Sequence, residues 1–171
     1  MLETARLKII PLTYPQLVKY LRAEDRLENE LGLEKTGRLI AEDVKDMVEN
    51  FTLPKMKSPG KHSYLYYTFW IVVDKLRNAI VAELGFKGPP DRDGAIEIGY
   101  GTMPDQRGKG YMTEAVGAII TWALQLEDVK SVLAETDQKN LASIRIVQKN
   151  GFEQYDKKGE MLWWRKIRTA P

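Results

Sequence analysis

"GYGTMPDQRGKGYMTEAVGAIITWAL", residues 99–124, changes its period halfway along, and that change decides the fold. Up to Met103 it continues "AIEIGYGTM" (95–103), which alternates as a strand does. From Met112 the apolar residues fall at helical spacing: Met112, Ala115, Val116, Ile119, Ile120, Ala123 and Leu124. That pattern predicts a helix with one buried face, ending near Glu127. Strand and helix are joined by "DQRGKGYM" (105–112), with two glycines and two basic side chains. The first N–H groups of a helix have no partner within it, so a glycine-rich approach exposes donors at the positive end of the dipole. Gln106, Arg107 and Lys109 add donors and charge at the same point, which suits a polyanion. A plain strand-to-helix connection also uses glycine, so the spacing has to discriminate.

Two common phosphate loops fail on position. A Walker A loop needs GxxxxGK[ST]; Gly101 is too far from Gly108 and Lys109, and Gly110 stands where Ser or Thr is required. A dinucleotide fingerprint needs a third glycine where Thr113 stands. Its strand would also open a βαβ unit, whereas 95–103 closes a meander. A pyrophosphate held largely by backbone amides remains, with no evident metal site.

Upstream, "YLYYTFWIVV" (64–73) and "AIVAELGF" (79–86) flank the polar turn "DKLRN" and read as a hairpin. "KGPPDRDG" (87–94) is a strong turn signal before 95–103, so an antiparallel meander is expected at the sheet's centre. "RLKIIPL" (6–12) reads as a first strand, and 14–24 and 41–51 as helices. In the second helix Ile40, Val44, Met47, Val48 and Phe51 recur at helical spacing. The charged segment between them, "EDRLENELGLEKTG" (24–37), has no clear pattern. Downstream, "SVLAET" (131–136) reads as a buried strand. Asn140 can cap a helix with Leu141, Ile144 and Val147 inward and Gly151 at its C′ position. "FEQYD" and "MLWWRKI" close the chain as a strand pair. The expected order is βααβββαβαββ, an α/β fold with a mixed, mostly antiparallel central sheet flanked by helices, in a single domain over 1–171.

Composition narrows the function. With 171 residues, 43% apolar and 29% charged, the chain reads as an ordinary globular protein. Its 26 basic and 24 acidic residues leave a formal net charge of +2, which gives no electrostatic case for nucleic acid. Absence of cysteine excludes disulfides and a thiolate nucleophile. The single histidine, His62, lies in the loop "KSPGKHSY" and reads as an incidental surface residue. Neither a signal peptide nor a membrane-spanning apolar run is expected, and the reading is cytoplasmic.

The stretch 99–124 followed by "ETDQKNLASIRIVQKNGF" (135–152) resembles the GNAT superfamily of N-acetyltransferases, most closely the branch of ribosomal-protein N-terminal acetyltransferases. The opening "ETARLKIIPLT" extends the resemblance over nearly the whole chain. The family signature Q/R-x-x-G-x-G/A is matched at Gly108 and Gly110, while Asp105 departs from it. The resemblance implies acetyl-CoA as cofactor, its pyrophosphate on the amides of Gln106, Arg107, Gly108, Lys109, Gly110 and Tyr111. It implies a pantetheine arm between the strand 95–103 and "SVLAET", with Gly101 and the backbone of Met103 against it. Asn140 and Ser143 would contact that arm from the far side. Many relatives carry a tyrosine acid where this chain has Val147, so Ser143 becomes the candidate for meeting the thiolate.

For the base, Glu97 is the first candidate, because it shares a strand face with Gly99 and Gly101; Glu83 on the neighbouring strand is the second. With no cysteine, direct attack by the amine in a ternary complex is expected. The expected acceptor is a small-molecule amine or a protein N-terminus, in a cleft formed by about residues 22–40 and 156–161. The aromatic run Tyr64, Tyr66, Tyr67, Phe69 and Trp70, with Trp163 and Trp164, either lines that cleft or packs the sheet. No nucleic acid, membrane or metal is expected as a partner, and a homodimer is left open. A non-catalytic acyl-CoA sensor and a nucleotide-dependent kinase-like protein are the other classes weighed, the second disfavoured by the failed Walker match.

Overall fold

The structure is a computed structural model that describes residues 1–22, 25–37, 39–58 and 63–169; His62 lies outside them. The chain begins with strands β1 (Leu2–Glu3) and β2 (Leu7–Pro11). Pro11 ends β2, and Thr13 caps α1 (Tyr14–Leu21) in a reciprocal box with Gln16. The charged segment, unassigned from sequence, contains a short helix α2 (Arg26–Leu31) that stops at Gly32, whose φ is +65°. Leu27 supplies its buried anchor. Two buried residues in a helix of six, Leu27 and Glu28, are too few for a periodic signal.

The helix expected over 41–51 runs further: α3 (Glu42–Met47), a π turn (Val48–Thr52) and α4 (Leu53–Lys57). Leu53 N–H bonds to Val48 O, five residues back. Pro54 follows at once, with no N–H of its own and a ring that would clash with a carbonyl four residues earlier. The widened turn absorbs that conflict without breaking the rod.

Strand β3 (Phe69–Asp74) begins five residues later than the aromatic run predicts. Ser63 accepts from Leu65 N–H and starts a 3-10 turn (Tyr64–Tyr66), and Thr68 turns its hydroxyl to Leu12 O at 2.6 Å. Local capping therefore wins over β propensity there. β4 (Ala79–Phe86), β5 (Ala95–Thr102), α5 (Tyr111–Ala123), β6 (Ser131–Asp137), α6 (Leu141–Lys149), β7 (Glu153–Lys158) and β8 (Met161–Ile167) complete the fold. α5 stops short of Glu127 because its last turn tightens through Gln125 N–H to Trp122 O and Leu126 N–H to Ala123 O.

The eight strands form one sheet in the order β1-β2-β3-β4-β5-β6-β8-β7, antiparallel except for the β5–β6 pair. Alternation sends the strand residues to two cores. Leu84, Ile96, Ile98 and Val132 meet α5 on one face, where Trp70 packs on Trp122 with ring centroids 5.0 Å apart. Ile71, Val73 and Ile80 meet α1, α2 and the α3–α4 rod on the other. Tyr66, Trp70 and Trp164 belong to the α5 core, so the packing reading of the aromatics holds for those three.

The N-terminus of α5 is pinned to the β3–β4 turn by Tyr111, whose buried hydroxyl donates to Asp74 Oδ2. Burial alone would raise the Asp74 carboxyl, but bonds from Tyr111 and from the N–H groups of Leu76 and Arg77 hold it below the ordinary range. A depressed folded value means that this contribution is complete above the unfolded carboxylate value of about 4 and is lost as pH falls through the lower folded one. Asp74→Ala should therefore cost about 1–3 kcal/mol at neutral pH, because it leaves the Tyr111 hydroxyl unpaired. The difference from the parent should shrink towards pH 3 in urea titrations.

Candidate functional site

The site starts where two parallel strands part. β5 and β6 pair only from Ala95↔Ser131 to Ile98↔Ala134, although β5 runs on to Thr102 and β6 to Asp137. Each stays paired on its outer edge, β5 with β4 as far as Ala82↔Thr102 and β6 with β8 along its whole length. The result is a wedge between the two strands beyond Ile98. Lys87 N–H bonds to Glu97 O and Met103 N–H bonds to Val81 O at 3.1 Å, so the odd-numbered residues of β5 turn their backbone groups to β4. By alternation the N–H and C=O of Tyr100 and Thr102 face the wedge. This corrects the expectation for Met103. Its N–H is committed to Val81, and its carbonyl accepts from Gln106 N–H at 2.9 Å.

The glycine turn closes the end of the wedge. A 3-10 turn (Pro104–Gln106) leads to Gly108 and Gly110, both with φ of +77°, a conformation that costs other residues strain. Glu114 N–H is the first in α5 to bond back, to Gly110 O at 3.2 Å, so the amides of 111–113 have no partner within the helix. Gln106 does not point outward. It is 4% exposed, and its Oε1 accepts from the guanidinium of Arg77 and from Lys109 Nζ at 2.9 Å, while Nε2 donates to Asp105. Asp105, the misfit of the signature, thus anchors the side chain that braces the turn from within. Tyr111 likewise turns its ring inward, leaving its amide in the cradle.

Arg6 is a brace that sequence reasoning missed. Its Nη1 donates to Lys109 O at 3.0 Å, its Nε lies 2.7 Å from Glu114 Oε2, and its guanidinium stacks 5.2 Å from the centroid of the Tyr111 ring. Burial would raise the Glu114 carboxyl, but bonds from Thr4 and Arg6 outweigh it and hold it low. A half-exposed ion pair contributes little stability, so its effect is positional: it ties the turn to the first strands.

On the α5 side of the wedge, Asn140 caps α6, its Oδ1 accepting from Ser143 N–H at 3.1 Å. Ser143 is 9% exposed, and its Oγ lies 2.8 Å from the hydroxyl of Tyr100. Burial raises the Tyr100 hydroxyl above its ordinary value, against the opposing bond to Ser143. Val147, one turn on, is fully buried core. Tyr100 had no signal in the sequence, because the Gly99/Gly101 face drew the reading away from its own.

On the opposite face a cavity of about 840 Å³ opens between β4, β5 and the α3–α4 rod. Gly99, Gly101, Tyr67 and Phe69 line it, together with Val44, Met47 and Phe51. None of its described lining residues comes from 22–40 or 156–161, because the α2 segment is drawn into the core by Leu27. Trp163 is likewise absent from the lining; it sits under Lys158, whose Nζ is 5.4 Å from its ring centroid. Glu83 reaches into the cavity: it stands opposite Gly101 in register, and a Cβ there would lie 3.3 Å from Glu83 Oε1. Tyr20 donates its hydroxyl to Glu83 Oε2. Glu97 shares the strand face but not the cavity. It pairs with Lys87, whose Nζ also lies 3.6 Å from Glu135.

A strand pair that opens onto a glycine cradle at a helix N-terminus is the arrangement that the sequence resemblance implies, here with hydroxyls on one side and a carboxylate on the other. The chain belongs to the acetyltransferase (GNAT) domain family, whose profile matches residues 6–153. It is 34% identical over 164 residues, 96% of each chain, to the uncharacterized N-acetyltransferase YjdG of Bacillus subtilis (strain 168). RimL, a ribosomal-protein alpha-N-acetyltransferase solved with coenzyme A, superposes with a TM-score of 0.67 at 14% identity, over 96% of this chain and 95% of that one. Spermidine N-acetyltransferase from Vibrio cholerae, solved with CoA and spermine, gives 0.64 at 9% identity, over 96% and 97%. At those identities the likeness is one of fold. The protein is an acetyltransferase.

Gly101 gives the cavity its sharpest test. Gly101→Ala puts a methyl group at 3.3 Å from the Glu83 carboxylate in a backbone conformation that alanine tolerates. The melting temperature should move by no more than about 2 °C while acetyl transfer falls about tenfold or more. Loss of both together would mean that the glycine serves folding instead.

Proposed function

We propose that this protein transfers the acetyl group of acetyl-CoA to a primary amine by direct attack within a ternary complex. The observation that carries the reading is the placement of two opposed groups about one backbone segment. Glu83 lies over Gly101 on one face of β5, and Tyr100 with Ser143 lies on the other. Gly108, Gly110 and the free amides of α5 fit a pyrophosphate, and the wedge edge at Tyr100 and Thr102 fits an extended arm that pairs like a strand. Acetyl-CoA supplies the activated carbonyl and the thiolate leaving group.

Glu83 is assigned as the base in place of Glu97, which is paired with Lys87 and is not among the described residues lining the cavity. An alkylamine is protonated at neutral pH, with a value of about 10.4, and cannot attack until it loses that proton. Glu83, oriented by the Tyr20 hydroxyl, takes the proton directly or through water. The backbone N–H groups of Tyr100 and Thr102 on the wedge edge would be available to stabilise the negative charge that develops on the carbonyl oxygen of a bound acyl donor. As the new C–N bond forms and the C–S bond breaks, Ser143 is the residue that would donate a hydrogen bond to the departing sulfur. The Tyr100 hydroxyl and Ser143 Oγ lie 2.8 Å apart, where either can donate. We assign the phenol, the stronger acid, as the donor, which would leave the serine proton for the sulfur. With its own value raised above about 10, Tyr100 stays protonated throughout the working range and acts as a donor, not as a titrating acid. The pair therefore stabilises the thiolate by hydrogen bonding.

Release of free thiol, followed against pH, tests these roles. Glu83→Gln should lower kcat by about 10²–10⁴ with acetyl-CoA binding unchanged. Ser143→Ala should lower it on the order of tenfold to a hundredfold and Tyr100→Phe by less, neither adding an alkaline limb below pH 9. A Glu83→Gln protein with undiminished turnover would remove the base assignment.

A further inference from the structure

The cavity on the Glu83 face has a composition that selects among amines. We infer that the acceptor carries a single positive charge, the reacting amine itself, on an apolar body, and that polyamines are poor acceptors. This rests on the acetyl-transfer reading above and adds the substrate class. Among the described lining residues Glu83 is the one carboxylate, while Lys55 and Lys87 both reach the cavity. The two other acids near β5, Glu97 and Glu135, are drawn to Lys87. A polyamine needs a carboxylate for each additional ammonium group, and the described lining offers none beyond Glu83. Glu97 and Glu135 are occupied by Lys87, and Lys55 adds a further positive charge.

The rest of the lining points to an apolar body. Val44, Met47, Phe51, Tyr67 and Phe69 surround the approach to Gly99 and Gly101. Two of these are left in water by the fold itself: Phe51 is 69% exposed and Met47 44%. Met47 ends α3 and Phe51 lies within the π turn of Val48–Thr52, a type of distortion that recurs at functional sites. An apolar acceptor covers this rim and removes its surface from water. At about 840 Å³ the space holds a body of the size of an aromatic or long aliphatic side chain beside the arm of the acyl donor. That chemistry is shared by free arylalkylamines and by the first residue of a peptide beginning with Phe or Met.

Thiol release with saturating acetyl-CoA is measured for phenethylamine, for a tetrapeptide amide beginning with Phe and without further charge, and for spermidine. kcat/KM should be at least tenfold higher for one or both apolar amines than for spermidine, and which of the two leads names the source. Phe51→Ala, a change at an exposed position, should raise KM for the better apolar amine on the order of tenfold with kcat nearly unchanged. Lys55→Glu should narrow the gap by raising turnover of spermidine. Spermidine turned over as well as the apolar amines, or no turnover of either apolar amine by a protein that binds acetyl-CoA, overturns the inference and leaves the cofactor reading standing. Failure to bind acetyl-CoA at all would instead remove the functional reading beneath it, and the inference with it.

Discussion

The parting of β5 from β6 after Ile98 and Ala134 is the constraint on which the site depends. A parallel pair that separates leaves backbone N–H and C=O groups without partners, and burying such groups unpaired costs free energy. The fold limits that cost to one edge. β6 keeps β8 along its whole length, reinforced where Trp164 Nε1 donates to Thr136 Oγ1 at 2.9 Å, and β5 keeps β4 to Thr102. The groups left over, at Tyr100 and Thr102, are the ones an extended ligand can satisfy. The wedge is thus a place where the sheet lacks one short strand.

The glycine turn depends on the wedge for its position and on distant contacts for its shape. Arg6 reaches it from the first strands, Arg77 from the β3–β4 turn through Gln106, and Asp74 holds the start of α5 through Tyr111. A cradle of backbone amides works only if those amides are held in place before the anion arrives. Three tethers from separate parts of the chain do that.

Much of the architecture was legible because period and turn chemistry agreed over 69–167. The switch from alternation to helical spacing at Met112, the cap at Asn140 and the C′ glycine at Gly151 are local signals, and the structure has them at those positions. Register, being a relation between strands, was less accessible. Glu83 and Glu97 lie on one face, and only pairing shows that Glu83 stands opposite Gly101 while Glu97 stands by Lys87. Tyr100 was hidden for a similar reason, because its partner Ser143 is forty-three positions away on α6. Gln106 looked like a ligand donor because nothing in "DQRGKG" reveals that Arg77 approaches it from beneath.

The central requirement of the proposed reaction is that the wedge and the cradle take acetyl-CoA. Titration calorimetry of the full chain with acetyl-CoA measures this most directly. One molecule bound per chain at low millimolar concentration or tighter, weakened at least tenfold by Gly110→Val, is the result expected of a cradle built on that backbone. No heat of binding at millimolar acetyl-CoA, or binding indifferent to Gly110→Val, would contradict it.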